Sequence, residues 1–188
     1  MKEKSMMRYK VVFASRTGNT ELLAKKIYHA IDDPSKDIER ISSSTSAFDA
    51  DVYLVGFWVD RGTCSPEVMD FLDSIHNKDV ILFGTCGTGQ DEIYYNRLTR
   101  MISGLVPGDN RYLGTYLCQG KMPMTVRKRY EEWLKDEKMA ARAEYMIRNF
   151  DEALLHPNEQ DLDCAVGFVH RMLEKCSLSG GRELNTKE

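Results

Sequence analysis

Nothing in this 188-residue chain approaches the run of about 20 apolar residues that crosses a bilayer. The opening residues, Met1-Lys2-Glu3-Lys4-Ser5, lack the apolar stretch of a signal peptide. Cysteine is sparse and unpatterned: Cys64, Cys86, Cys118, Cys164 and Cys176 are odd in number and widely spaced, with no C-x-x-C pair. That spacing indicates neither a disulfide framework nor a zinc site, and a reducing cytoplasm is the expected location. A net charge of −3 is too small to drive bulk binding to nucleic acid or to a membrane. What remains is ordinary for a water-soluble domain, with 42% hydrophobic and 29% charged residues.

The hydrophobic pattern alternates short β-rich runs with amphipathic segments, as in a parallel sheet covered on both faces. Strands are expected over 8–14, 37–42 (weak, at an edge), 51–57, 80–84 and 112–118. Helices are expected over 21–31, 65–75, 91–103 and 162–173. The first carries Leu23, Ile27, Ala30 and Ile31 as one apolar stripe, and the second enters through Ser65-Pro66-Glu67. The tract 121–150 is charged and helix-prone, and 177–188, with Gly180-Gly181, reads as a disordered tail. One domain over 1–176 accommodates these elements, with 119–156 as a helical insertion before the last helix.

Between the first strand and the first helix lies Ser15-Arg16-Thr17-Gly18-Asn19-Thr20. Hydroxyls and unpaired amides at a helix N-terminus suit a phosphate, which the helix dipole also favours. The loop has neither the second glycine and Lys-Ser/Thr pair of a Walker A motif nor the G-x-G-x-x-G of a dinucleotide turn. It reads as the phosphate cradle of a mononucleotide. The bland alternative is a capped helix start, which Ser, Thr and Asn favour in any context.

Strand–helix units led by this Ser-x-Thr-Gly-Asn-Thr loop resemble the flavodoxins, which carry one FMN. The resemblance covers 8–120 and resumes at 157–173. It implies a flavodoxin-like three-layer α/β sandwich, with a five-stranded parallel sheet of order 2-1-3-4-5 and FMN at the switch between strands one and three. It places Ser15, Arg16, Thr17, Gly18, Asn19 and Thr20 around the FMN phosphate, with the Thr17, Asn19 and Thr20 side chains bonded to loop amides. Arg16 either pairs with the phosphate or points into water.

The resemblance assigns a second loop, Trp58-Val59-Asp60-Arg61-Gly62-Thr63-Cys64, to one flavin face. Trp58 is the ring matching the family's stacking aromatic, and Gly62 supplies a carbonyl near flavin N5. Packing at a strand end is the alternative for Trp58. Arg61 either sits beside the flavin, anchors an anionic substrate, or pairs with Asp60 in solvent. A third loop contributes Thr85, Cys86, Gly87 and Thr88 near the ring edge, with a plain glycine-rich turn as the alternative. No aromatic precedes Tyr94 and Tyr95, which fall on the next helix, so the second flavin face is open or covered by a partner or by the insertion. Cys64 and Cys86 converge as two buried thiols or, less ordinarily, as a redox pair.

Over 121–150 eight basic residues face five acids, which fits a solvated helix surface or a docking face for an acidic partner. The segment Cys118-Gln119-Gly120-Lys121-Met122-Pro123-Met124 further resembles a flavodoxin-like branch of anaerobic gut bacteria associated with bilirubin reduction. The function implied is electron transfer to or from a partner reductase, with no catalytic acid or base and no metal. Two other readings stay open. One is an FMN-dependent reductase acting directly on a quinone, nitroaromatic or tetrapyrrole. The other is a non-redox accessory module of a reductase.

Overall fold

A computed structural model describes residues 7–89 and 91–179. The central strands are β1 (Tyr9–Phe13), β2 (Lys36–Arg40), β3 (Val52–Asp60), β5 (Asp79–Cys86) and β6 (Arg111–Gln119). They pair in parallel in the order β2-β1-β3-β5-β6, and a two-residue strand β4 (Thr63–Cys64) folds back antiparallel on β3. Leaving out β4, this is the expected five-strand order 2-1-3-4-5, with the weak strand at the edge.

Side chains alternate across the sheet, as a strand's period of two requires. Val11, Phe13, Val52, Leu54, Ile81 and Phe83 turn to one face. There they meet Leu23, Ala24 and Ile27 of α1 (Asn19–Ala30) and Leu162, Ala165 and Val169 of α6 (Glu159–Ser179). Val12, Tyr53, Val55, Phe57, Val80 and Leu82 turn to the other. They are covered by Val68, Phe71 and Leu72 of α2 (Pro66–Ser74) and Ile102 of α3 (Glu92–Ser103). Helix, sheet and helix make the three layers.

Two glycines let phenylalanine rings lie flat on neighbouring strands. In the β3–β5 register Gly56 pairs with Phe83 and Phe57 with Gly84. A methyl group at Gly56 would lie 2.5 Å from the Phe83 ring, and one at Gly84 would lie 2.5 Å from the Phe57 ring. Each ring therefore occupies the space that its partner residue leaves without a Cβ.

Helix ends follow local chemistry. The Asp91 carboxylate accepts the Tyr94 N–H at 2.8 Å and caps α3. Pro66 occupies the first turn of α2. The tract 121–150 forms two helices, α4 (Met124–Trp133) and α5 (Ala140–Ala153), which bury Tyr130, Ala143, Phe150 and Ala153. The last helix continues through Ser179, so residues 177–179, expected in the tail, are helical; residues 180–188 of that expectation lie outside the described residues.

Candidate functional site

The C-terminal ends of β1, β3 and β5 open into one cavity of about 500 Å³. Ligands of open parallel sheets bind at this edge, where the strand order reverses. Arg16, Thr17, Asn19, Trp58, Val59, Asp60, Arg61, Thr85, Cys86 and Gly87 all line it, so residues from the three separate segments named above meet in one place. Ser15, Gly18, Thr20, Gly62 and Thr88 do not line the cavity. Their contacts show what they do instead.

The first loop leaves strand β1 and enters α1 through Gly18, whose φ of 85° is left-handed and easy only for glycine. The Ser15 hydroxyl accepts the Gly18 N–H at 3.1 Å, closing the turn. Among the described residues, the N–H groups of Arg16, Thr17, Asn19 and Thr20 have no hydrogen-bond partner. Four unpaired donors thus lie at the N-terminal end of a 12-residue helix, the end whose dipole favours an anion.

The loop's side chains are used differently from expectation. Thr20 is buried; its hydroxyl lies 3.3 Å from the Phe57 carbonyl and 3.0 Å from the Thr85 hydroxyl, pinning the loop to β3 and β5. The Asn19 amide donates to the Thr17 hydroxyl and to the Lys121 carbonyl, each at 2.9 Å. Neither side chain bonds to the loop's own amides, which leaves those amides to a ligand. Arg16 lies with its guanidinium 5.5 Å from the centre of the Trp58 ring, a cation–π contact that neither expected placement includes.

Trp58, Val59 and Asp60 are not a loop but the end of β3, held by pairing of Val59 with Cys64 and of Asp60 with Thr63. Arg61 (φ 49°) and Gly62 (φ 89°) are the two positive-φ residues of the hairpin turn that follows, the pattern of a type I′ turn. Gly62 is needed there for the turn. Arg61 is exposed and makes no ion pair with Asp60. Thr85 and Cys86 likewise end strand β5, paired with Cys118 and Gln119 of β6.

Cys64 and Cys86 are both buried free thiols, and so is Cys118. The Cys86 Sγ donates to the Thr88 carbonyl at 3.1 Å, and burial pushes this thiol up to about 12. Burial raises the Cys64 and Cys118 thiols as well. Raised in this way, the thiols favour the protonated form at neutral pH, the ordinary state of buried structural cysteines.

The remaining wall comes from the insertion, one of the covers expected for the second flavin face, although its residues could not be named from the sequence. Gly120, Lys121, Met122, Pro123, Thr125, Val126, Arg129 and Tyr130 face the cavity. Met122 lies on Gly87 so closely that a methyl group there would sit 2.4 Å from its sulfur. Tyr130 is 5% exposed and packs against Trp133. The insertion is fixed to the first loop by the Asn19–Lys121 bond and to its own end by the Lys121 N–H to His156 carbonyl bond at 3.1 Å. The one available signal was the segment 118–124, which leads from β6 directly onto this wall.

No group of three His, Cys, Asp or Glu side chains suited to a metal occurs among the described residues. Among the described residues no helix is long and apolar enough to cross a membrane. The chain is 33% identical over 175 residues to the flavodoxin-like domain-containing protein BilS of Clostridioides difficile (strain CD3), covering 92% of this chain and 99% of that one. It is 28% identical over 191 residues to the BilS protein of Clostridium symbiosum (strain WAL-14163), with coverage of 93% and 98%. Oxidised flavodoxin 1 from Bacillus cereus superposes with a TM-score of 0.55 at 16% identity, over 89% of this chain and 97% of its own. The flavodoxin domain matches residues 10–170, and with that span the chain belongs to the flavodoxin domain family.

Proposed function

We propose that this protein binds FMN and passes electrons to or from a partner reductase. FMN is the cofactor that family membership implies, and the residues present fit it. The unpaired amides of Arg16, Thr17, Asn19 and Thr20 suit its phosphate. A cavity of about 500 Å³ is within the usual range for a small cofactor, and Trp58 offers a flat apolar wall to a ring. FMN supplies the redox chemistry when bound; the chain's part is to anchor the phosphate, exclude water from the ring and leave an edge open to solvent.

The observation that carries this reading is that Trp58 lines the same cavity as Arg16, Thr17 and Asn19, three residues whose N–H groups are unpaired. Electron exchange through an exposed ring edge needs no acid or base from the protein. The resemblance at 118–124 and the likeness to two BilS proteins support bilirubin reduction as the process served, with the partner as the enzyme that acts on the tetrapyrrole. The test is to add FMN to the purified protein, record the flavin spectrum and titrate with dithionite. Quenched flavin fluorescence and one-electron steps in the titration are expected; a protein that leaves FMN free sinks the proposal. NAD(P)H oxidation with a small acceptor, without a second protein, would replace the carrier by a reductase acting directly.

A further inference from the structure

The cavity mouth is ringed by cations that the protein itself does not neutralise. Arg16, Arg61, Lys121 and Arg129 line it and are exposed, and none has a carboxylate partner among the described residues. Asp60 is the single acid in the same wall, which leaves the mouth at +3. Two positions earlier on α4 the pattern is different: Arg127 is ion-paired with both Glu131 and Asp151. The whole chain carries −3, so the positive mouth stands against a negative remainder. In the adjoining groove Asp91, Glu92 and Glu152 outnumber Arg148.

We infer that this mouth is a docking surface for the acidic face of a redox protein. The inference rests on the carrier reading for its purpose, since a carrier must bring its ring edge against a partner. Unpaired exposed cations lose solvation and repel one another unless an opposite charge meets them, so they select an anionic surface and speed its approach. A bound FMN phosphate carries about two negative charges and sits in the amide loop. It therefore leaves the mouth net positive. Two of the cations, Lys121 and Arg129, belong to the insertion, which gives that tract a role in choosing the partner as well as in walling the cavity.

Docking is tested with probes of opposite charge: an acidic plant-type ferredoxin and the basic cytochrome c. Isotope-labelled protein, with and without FMN, is titrated with each while amide shifts are followed. Ferredoxin is expected to move the amides of residues 16, 61, 121 and 129, with affinity falling about tenfold between low and physiological salt. Cytochrome c is expected to leave them unmoved. The combined Arg61→Asn, Lys121→Gln and Arg129→Gln variant loses the ferredoxin response. A control with Lys128→Gln, Lys138→Gln and Arg142→Gln, equal in net charge, keeps it. Cytochrome c at these residues, or a ferredoxin response indifferent to the first variant, overturns the inference.

A second readout needs no cofactor. In a Trp133→Phe background, Trp58 emission is expected to be quenched more strongly by iodide than by caesium, and the mouth variant narrows that difference. Equal quenching in the unsubstituted mouth overturns the charge assignment. If FMN fails to bind while ferredoxin still docks, the carrier reading falls and the docking surface stands.

Discussion

The Asn19 side-chain amide donates to the Lys121 carbonyl across 102 positions of sequence, at 2.9 Å, and so joins the loop between β1 and α1 to the insertion. It also holds the Thr17 hydroxyl. Asn19→Ala removes both bonds at a site only 8% exposed. A loss of about 1–3 kcal/mol in urea unfolding is expected, with weaker FMN binding in a fluorescence titration. Wild-type values for both would mean that the tie is incidental.

The loop's charge preference gives a second test. Thr17→Asp sets a carboxylate against the phosphate, and FMN affinity is expected to fall by at least about tenfold, or 1.4 kcal/mol. Riboflavin, which lacks the phosphate, should bind both forms about equally. A riboflavin loss as large as the FMN loss would place Thr17 elsewhere than at the phosphate.

Gly84→Ala drives a methyl group to 2.5 Å from the Phe57 ring. Overpacking of this kind costs about 1–3 kcal/mol, read as a lower Tm. Adding Phe57→Leu should return part of that stability, because the smaller side chain vacates the contested space. Additive losses in the double variant would contradict the packing described.

Lys10 is buried and ion-paired with Asp49 at 2.7 Å and Glu39 at 3.2 Å. Burial works against the Asp49 charge, but hydrogen bonds from Lys10 and the Tyr53 hydroxyl outweigh it and hold the carboxyl below its ordinary value. Its contribution to stability is therefore present above the unfolded pKa, about 4, and is lost as pH falls through the lower folded value. Burial also opposes the Lys10 charge, and its acidic partners again outweigh it, raising this group. That contribution is present below the unfolded lysine value and is lost as pH rises through the raised one. Lys10→Met should flatten both limbs of a stability–pH curve; an unchanged acid limb would rule out the pair as its source.

Cys164 is exposed while Cys64, Cys86, Cys118 and Cys176 are buried. Burial pushes the Cys176 thiol, like that of Cys86, up to about 12. A thiol reagent at pH 8 should label one cysteine rapidly in the native protein and the others only on unfolding. Rapid labelling at Cys86 would show that the cavity floor is open.

The sheet was legible because buried parallel strands write themselves as short apolar runs: Val11, Val12 and Phe13, or Val80, Ile81 and Leu82, are too short for a helix and rich in β-branched and aromatic residues. The ends of β3 and β5 were not. Trp58, Val59 and Asp60 look like loop residues, but Trp58 pairs with Thr85 of β5, and Thr63 and Cys64 fold back to pair with Asp60 and Val59. The loop between β1 and α1 stood out by its residue types, but the direction of Thr20 and Asn19 depends on Thr85 and Lys121, far away in sequence. The same distance hid the wall made by Met122 and Tyr130, whose apolar character predicts burial without saying against what.

The paired rings and glycines of β3 and β5 bear on how this chain can recombine with its relatives. Phe83 over Gly56 and Phe57 over Gly84 are two halves of one fit across adjacent strands. A chimera with its crossover between β3 and β5 inherits one half from each parent. It packs well only if both parents carry the same arrangement. Crossovers before β3 or after β5 keep the fit intact and are the permissive boundaries for grafting a new cavity mouth onto this sheet.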